Sequence, residues 1–194
     1  MDINQISGAV LAGGFSSRMG QNKAELLLNG ERLIERQVKK LKSLGIEDLI
    51  LSGYNGKLEG ARTIPDVYPH RGPLSGVHAC LLQANKKACL FVSVDVPLVP
   101  EQTLLTLCRA HEGGATVLCH GEKTEPLIAV YDCCLAPEAE KLLLTGKPAM
   151  MRFLEAIPHK EVLFEGDERL LANCNTPEEF VSVEEILSFK SINN

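Results

Sequence analysis

The sequence predicts an α/β fold built on a mostly parallel sheet. Three observations carry that expectation. Short apolar runs alternate with longer amphipathic stretches from the first residues onward. The apolar runs end in glycine, aspartate or proline, as strands do when they leave a sheet. The strand–helix–strand order requires crossover connections, and so parallel strands with helices on both faces.

The elements follow in order. Residues 7–12 (S-G-A-V-L-A) are a short apolar run stopped by glycines and read as a buried strand. Residues 31–44 set Leu33, Ile34, Val38, Leu41 and Leu44 on one helical stripe, with Gly45 as the stop. Residues 48–52 are the second strand, and 74–84 a helix opening just after Gly72-Pro73. Residues 88–94 are the third strand, closing on Asp95. A helix over 102–111 precedes strands at 115–119 and 125–131. The charged link Gly121-Glu122-Lys123-Thr124 joins these two, which suggests an antiparallel pair at the sheet edge. Helices at 135–144 and 150–156 and a strand at 160–164 complete the pattern. Thr176-Pro177-Glu178-Glu179 then places Thr at the N-cap, Pro at the first helical position and Glu at the third, a capping box with a proline start. Phe180, Val183 and Ile186 give this last helix its stripe, with fraying expected after Phe189.

Composition bounds the function. The chain has 194 residues, 45% apolar and 23% charged, with a formal net charge of −5. That suits one domain over 1–194, long enough to bury roughly 70% of its unfolded surface without a metal or disulfide staple. No apolar run approaches the ~20 residues of a membrane span. The start, Met1-Asp2-Ile3-Asn4-Gln5, lacks a secretory pattern, which points to the cytoplasm. Mild acidity and 5% aromatic residues argue against a basic nucleic-acid face. Seven cysteines, with no C-x-x-C pair, read as reduced and largely buried thiols rather than zinc ligands. His78 reads as a packed helix residue. His70, His111, His120 and His159 show no ligand spacing and read as surface or loop positions.

Ligands of such sheets bind at the carboxyl ends of the strands. The first strand ends in Leu11-Ala12-Gly13-Gly14-Phe15-Ser16-Ser17-Arg18-Met19-Gly20-Gln21-Asn22-Lys23. Glycines allow close backbone approach, and Arg18 and Lys23 supply cations for phosphate oxygens. The segment is neither a Walker A loop nor a dinucleotide fingerprint. On composition alone it could also be a plain glycine turn. Asp95 closes an apolar strand before Val96-Pro97, a fitting place for Mg²⁺ shared with phosphates, or simply the start of a turn. Asp66 is a second loop carboxylate, and Arg71-Gly72-Pro73-Leu74-Ser75-Gly76 a second glycine-bearing loop opening a helix.

Together these segments resemble the molybdenum cofactor guanylyltransferase family. The first loop, Asp66 with Gly72-Pro73-Leu74-Ser75-Gly76, Val94-Asp95-Val96-Pro97, Glu125-Pro126 and Asn173-Cys174-Asn175-Thr176-Pro177 fall in the family's order over roughly residues 6–187. The first motif alone is shared with other nucleotidyltransferases, and the combination is narrower. The resemblance implies a three-layer Rossmann-like fold with a small antiparallel addition. It implies a GTP-binding part about 6–111 and an acceptor-binding part about 112–187. It assigns Leu11, Ala12, Gly13, Lys23, Asp66 and Asp95 to GTP, Asp95 to Mg²⁺, and Asn173 and Asn175 to the pterin. Asn175 could equally serve only to shape the turn before the cap. Arg18, Lys23 and Asp95 would carry catalysis. Cytidylyl relatives tend to have Ala at the place of Gly13, so the smaller residue favours the larger base. The sequence departs from the family in having Asn22 where Asp is usual. It also lacks a clear match for an Asn after the second strand, where Ser52 or Asn55 could stand in.

The implied reaction is GMP transfer from GTP to molybdenum-molybdopterin, releasing pyrophosphate. Delivery proteins or molybdoenzymes would be downstream partners. Two other readings fit the same loops. One is cytidylyl transfer to molybdopterin or to a small phosphorylated alcohol. The other is a non-catalytic nucleotide-binding accessory protein, against which the set Arg18, Lys23 and Asp95 argues.

Overall fold

The strand β1 (Ile6–Leu11) is buried along its whole length. Its alternate side chains point to opposite faces, so Val10 joins one apolar cluster while Ala9 and Leu11 join another. That division runs through the computed structural model, which describes residues 1–13 and 22–192. Beside β1 lie β4 (Leu49–Ser52) and β5 (Arg62–Ile64) on one side and β6 (Ala88–Ser93) on the other, all parallel. The sheet continues through β8 (Lys123–Asp132), β7 (Ala115–His120) and β9 (His159–Leu163). Its order is β5-β4-β1-β6-β8-β7-β9, and β8 alone is reversed. A separate antiparallel ribbon pairs β2 (Leu27–Leu28) with β3 (Glu31–Arg32).

Helices cover both faces. On one, α1 (Leu33–Ser43), α3 (Glu101–Ala110) and α6 (Pro177–Ile192) bring Ile34, Leu41, Leu104, Leu107 and Val183 onto the sheet. On the other, α2 (Pro73–Gln83), α4 (Ala136–Leu144) and α5 (Met150–Glu155) bring Leu74, Val77, Ala139, Leu143 and Phe153. The three-layer α/β arrangement is the one expected.

The differences have physical causes. The strand pair at 115–131 does not sit at the edge. It lies inside the sheet, because β8 bonds β6 along one edge and β7 along the other, and β9 pairs with the far side of β7 and takes the sheet edge. A register shift between Val117 and Leu118 takes up extra residues of β8, and pairing resumes from Leu118 with Glu125 to His120 with Lys123 at the tip. The short β5 lacked an apolar run to mark it, since only Ile64 of its three residues is buried. The last helix continues past Phe189 to Ile192. Two histidines expected at the surface are not there. His111 is 1% exposed and bonds Thr116 Oγ1 and Asp132 Oδ1, each at 3.0 Å, tying the end of α3 to β7 and β8. His120 pairs with Glu125 at 3.0 Å near the hairpin tip.

His78 is packed as expected, on α2, yet neither ring nitrogen finds a hydrogen-bond partner. Burial holds its pKa below the ordinary value, partly opposed by the charge of Glu140. The neutral ring is therefore favoured in the folded state, and the unfolded chain takes up the proton first as pH falls below about 6.5. Stability contributed by this ring should be complete above that pH and decline below it, at up to about 1.4 kcal/mol per pH unit. His78→Leu should flatten the acid side of a urea-midpoint profile below about pH 6.5. A profile identical to the parent's would assign the acid loss elsewhere.

Candidate functional site

The carboxyl ends of β1, β4 and β6 are laced together by main-chain bonds. The Val94 N–H donates to Leu11 O at 3.1 Å, and the Ala12 N–H to Ser52 O at 2.9 Å. Leu11 and Ala12 are buried, and of the three residues expected to meet the nucleotide here only Gly13 is exposed. Beside it, Gly53 has φ +73°, and a Cβ there would lie 2.3 Å from Gly13 Cα. Both the left-handed backbone and the contact demand glycine. Gly53→Ala should therefore cost about 2 kcal/mol or more and displace the backbone at Gly13. GTP affinity, measured by calorimetry, should fall with it; unchanged affinity would separate this contact from nucleotide binding.

The end of β4 carries a side-chain link that the sequence marked only faintly. Buried Ser52 donates to Asp66 Oδ1 at 3.1 Å. A Cβ on Gly76 would meet Ser52 Oγ at 2.6 Å, so glycine lets α2 pack directly on this link. Of the two residues considered at this place, Ser52 is the one that holds Asp66. The glycine loop before α2 is fixed in turn by Ser75, whose hydroxyl donates to Tyr68 O at 2.6 Å.

Lys23 opens a single 3₁₀ turn, Lys23–Glu25, capped by the Asn22 side chain, which accepts from the Ala24 N–H at 3.1 Å. An Asn carbonyl serves this cap as an Asp carboxylate would, so the departure at 22 leaves the local geometry intact. The Lys23 ammonium, only 11% exposed, donates to Asp95 Oδ1 at 3.0 Å and to Asn175 Oδ1 at 2.6 Å. Asp95 stays 32% exposed on its other side.

Asn175 is brought here by a short bridge. The Cys174 N–H donates to Asp95 O at 2.9 Å, and Cys174 is fully buried, its thiol pushed up to about 12 by burial and by the charge of Asp95. The expected cap follows, with the Glu179 N–H donating to Thr176 Oγ1 at 3.2 Å. Glu179 returns to the Asn175 N–H, one residue earlier than the ordinary box.

Lys23, Asp95 and Asn175 thus meet in one place, with Leu11, Ala12 and Gly13 alongside and Asp66 beyond them, after β5 and bonded to Ser52 at the end of β4. Asn173 flanks the Cys174 bridge. Arg18, with residues 14–21, lies outside the described residues. Cys174 as a bridge carried no sequence signal beyond its apolar character. No group of three His, Cys, Asp or Glu side chains among the described residues could cage a metal. A single half-open carboxylate at a strand end does suit a Mg²⁺ ion that takes its remaining ligands from phosphates and water.

Known proteins share this family and this fold. Residues 8–162 match the family model described as a MobA-like NTP transferase domain. A "Probable molybdenum cofactor guanylyltransferase" of Opitutus terrae is 33% identical, over 92% of this chain and 94% of that protein. A "Molybdenum cofactor guanylyltransferase" of Yersinia pestis is 31% identical, over 89% of this chain and 91% of that one. The crystal structure of molybdopterin-guanine dinucleotide biosynthesis protein A from Archaeoglobus fulgidus superposes with a TM-score of 0.77 at 25% identity, covering 94% of this chain and 99% of that one.

Proposed function

The chain belongs to the MobA-like NTP transferase family and is a nucleotidyltransferase, and from that premise we propose that it transfers GMP from GTP to molybdenum-molybdopterin, releasing pyrophosphate. The observation that carries the reading is the Lys23 ammonium held between Asp95 and Asn175. On this reading the cation would stand between a nucleotide-binding part, about 6–111, and an acceptor-binding part, about 112–187.

The acceptor's terminal phosphate is already an anion, so in-line attack on the α-phosphorus needs orientation and charge neutralisation more than a general base. Lys23 would leave Asp95 for the nucleotide's phosphates, with Arg18 as a second, forked donor. Asp95 would hold Mg²⁺, which supplies charge neutralisation for the phosphates and the departing pyrophosphate. Gly13, backed by Gly53, would leave room for the purine edge, and Asp66, fixed by Ser52, would face the same nucleotide. Asn173 and Asn175 offer donors and acceptors suited to a pterin edge. The product would pass to delivery proteins or molybdoenzymes. No helix of the described residues is long and apolar enough to cross a membrane, and seven free thiols suit the reducing cytoplasm.

The relatives named as guanylyltransferases favour GTP over CTP. The test is pyrophosphate release with Mg²⁺ and GTP, CTP or ATP, each with and without molybdenum-molybdopterin. Release with GTP and acceptor together is expected. Release with CTP instead would move the chain to cytidylyl transfer, and tight GTP binding without release would mark a non-catalytic binder.

A further inference from the structure

The turn that carries Asp95 is weakly held by its own main chain. Its one internal backbone bond, from the Val96 N–H to Ser93 O, is 3.4 Å long. The Asp95 N–H reaches only the Ser93 hydroxyl, at 3.2 Å. One face of α1 supplies what the turn lacks. Gln37 Nε2 donates to Ser93 O at 2.6 Å and to Val96 O at 3.0 Å. One helical turn further on, Lys40 Nζ donates to Pro97 O at 2.6 Å.

Gln37 is an odd residue for its place. It lies among Leu33, Ile34, Val38 and Leu41 on the apolar stripe of α1 and is 0% exposed. Its Oε1 is buried with no hydrogen-bond partner. A leucine there would fill the space but leave Val96 O without its donor, so the amide is set by the turn it binds and not by the apolar stripe around it. What the amide does is grip two carbonyls of the turn that presents Asp95.

We propose that Gln37, with Lys40 as an outer support, is a positioning residue that fixes the Asp95 carboxylate for the divalent cation accompanying the nucleotide. Gln37 touches neither substrate nor cation. It acts by holding Ser93 O and Val96 O, and through them the direction of Asp95. This inference rests on the proposed nucleotidyl transfer and adds a residue to it.

Gln37→Met keeps the length and removes both donors. In the metal-free variant, amide exchange at Asp95 and Val96 should quicken relative to the parent, with the central strands β1 and β6 unchanged. Turnover should fall about 100-fold, the scale expected when a reacting geometry slips by an ångström, with KM for GTP within about threefold. The Mn²⁺ concentration for half-saturation in the presence of GTP, read by electron paramagnetic resonance, should rise about tenfold on the same grounds. A folded Gln37→Met protein with parental exchange at Asp95 and Val96, turnover and Mn²⁺ half-saturation would overturn the proposal. Should that variant fail to fold, Lys40→Met, which removes only the outer bond, must shift the exchange and Mn²⁺ readouts in the same direction by a smaller factor. Parental values there would overturn it as well. A parent protein that binds Mn²⁺ and GTP but releases no pyrophosphate would defeat the proposed transfer, while exchange and Mn²⁺ binding would still decide the role of Gln37.

Discussion

Asp95→Asn should lower Mg²⁺-dependent pyrophosphate release about 10³-fold, at the upper end of what one preorganised charge contributes to an enzyme transition state. The fold should survive. Asn keeps the shape of Asp, its Oδ1 can still accept from Lys23, and the Cys174 bond uses the backbone of residue 95, which the substitution leaves alone. What disappears is the negative charge that a divalent cation needs. Asp95→Ala should abolish the same turnover, and among the described residues it also leaves the nearly buried Lys23 ammonium with Asn175 as its side-chain acceptor. The Ala variant should therefore melt lower than the Asn variant, while turnover is severely reduced in the Asn variant and absent in the Ala variant. Initial rates against Mg²⁺ concentration, with melting curves beside them, check both halves. Full activity in Asp95→Asn would remove Asp95 from the metal role.

Much of the fold was legible because each buried strand writes its own signal. Residues 7–12 and 88–94 are apolar on both faces and land within a residue of β1 and β6. The stripe of α1 and the Thr176 cap of α6 are local patterns, fixed by 3.6-residue periodicity and by hydrogen bonds a few residues apart. The position of β8 in the sheet was not legible. Whether a hairpin lies at an edge depends on which strand pairs with its far side, and β9 supplies that partner from about 40 residues away. His111 escaped for the same reason, since Asp132 joins it from another strand.

The site divides likewise. Lys23 and Asp95 stand in motifs, but their meeting at 3.0 Å follows from β1 and β6 pairing side by side, an order the sequence does not specify. Asn175 was associated with the pterin or the turn, yet its side chain turns to Lys23, a contact set by the Cys174 bridge across 80 residues. Ser52 beneath Asp66 and Gln37 beneath the Asp95 turn are supports. Gln37 did leave a trace, as a polar residue at a stripe position between Leu33 and Leu41, but only the turn packed against it gives the amide a purpose.

Lys23→Met should cut turnover about as deeply as the loss of Asp95, roughly 10³-fold, and weaken GTP binding about 10- to 100-fold through lost charge-assisted hydrogen bonds. Its effect on stability should be much smaller. Removing an ammonium that is 11% exposed relieves its desolvation, and Asp95, 32% exposed, can turn to water for what it loses. These terms oppose each other, so the net change should stay within about 1 kcal/mol. Lys23→Arg should not restore activity. A planar fork needs more room than a point charge seated at 2.6 and 3.0 Å between two side-chain oxygens. Asn175→Ala should weaken turnover less than Lys23→Met, and the two changes together should cost no more than Lys23→Met alone, because Asn175 would act through the ammonium it holds. Initial rates and GTP calorimetry on the three variants decide it. Strictly additive losses would mean that Asn175 meets the acceptor independently of Lys23.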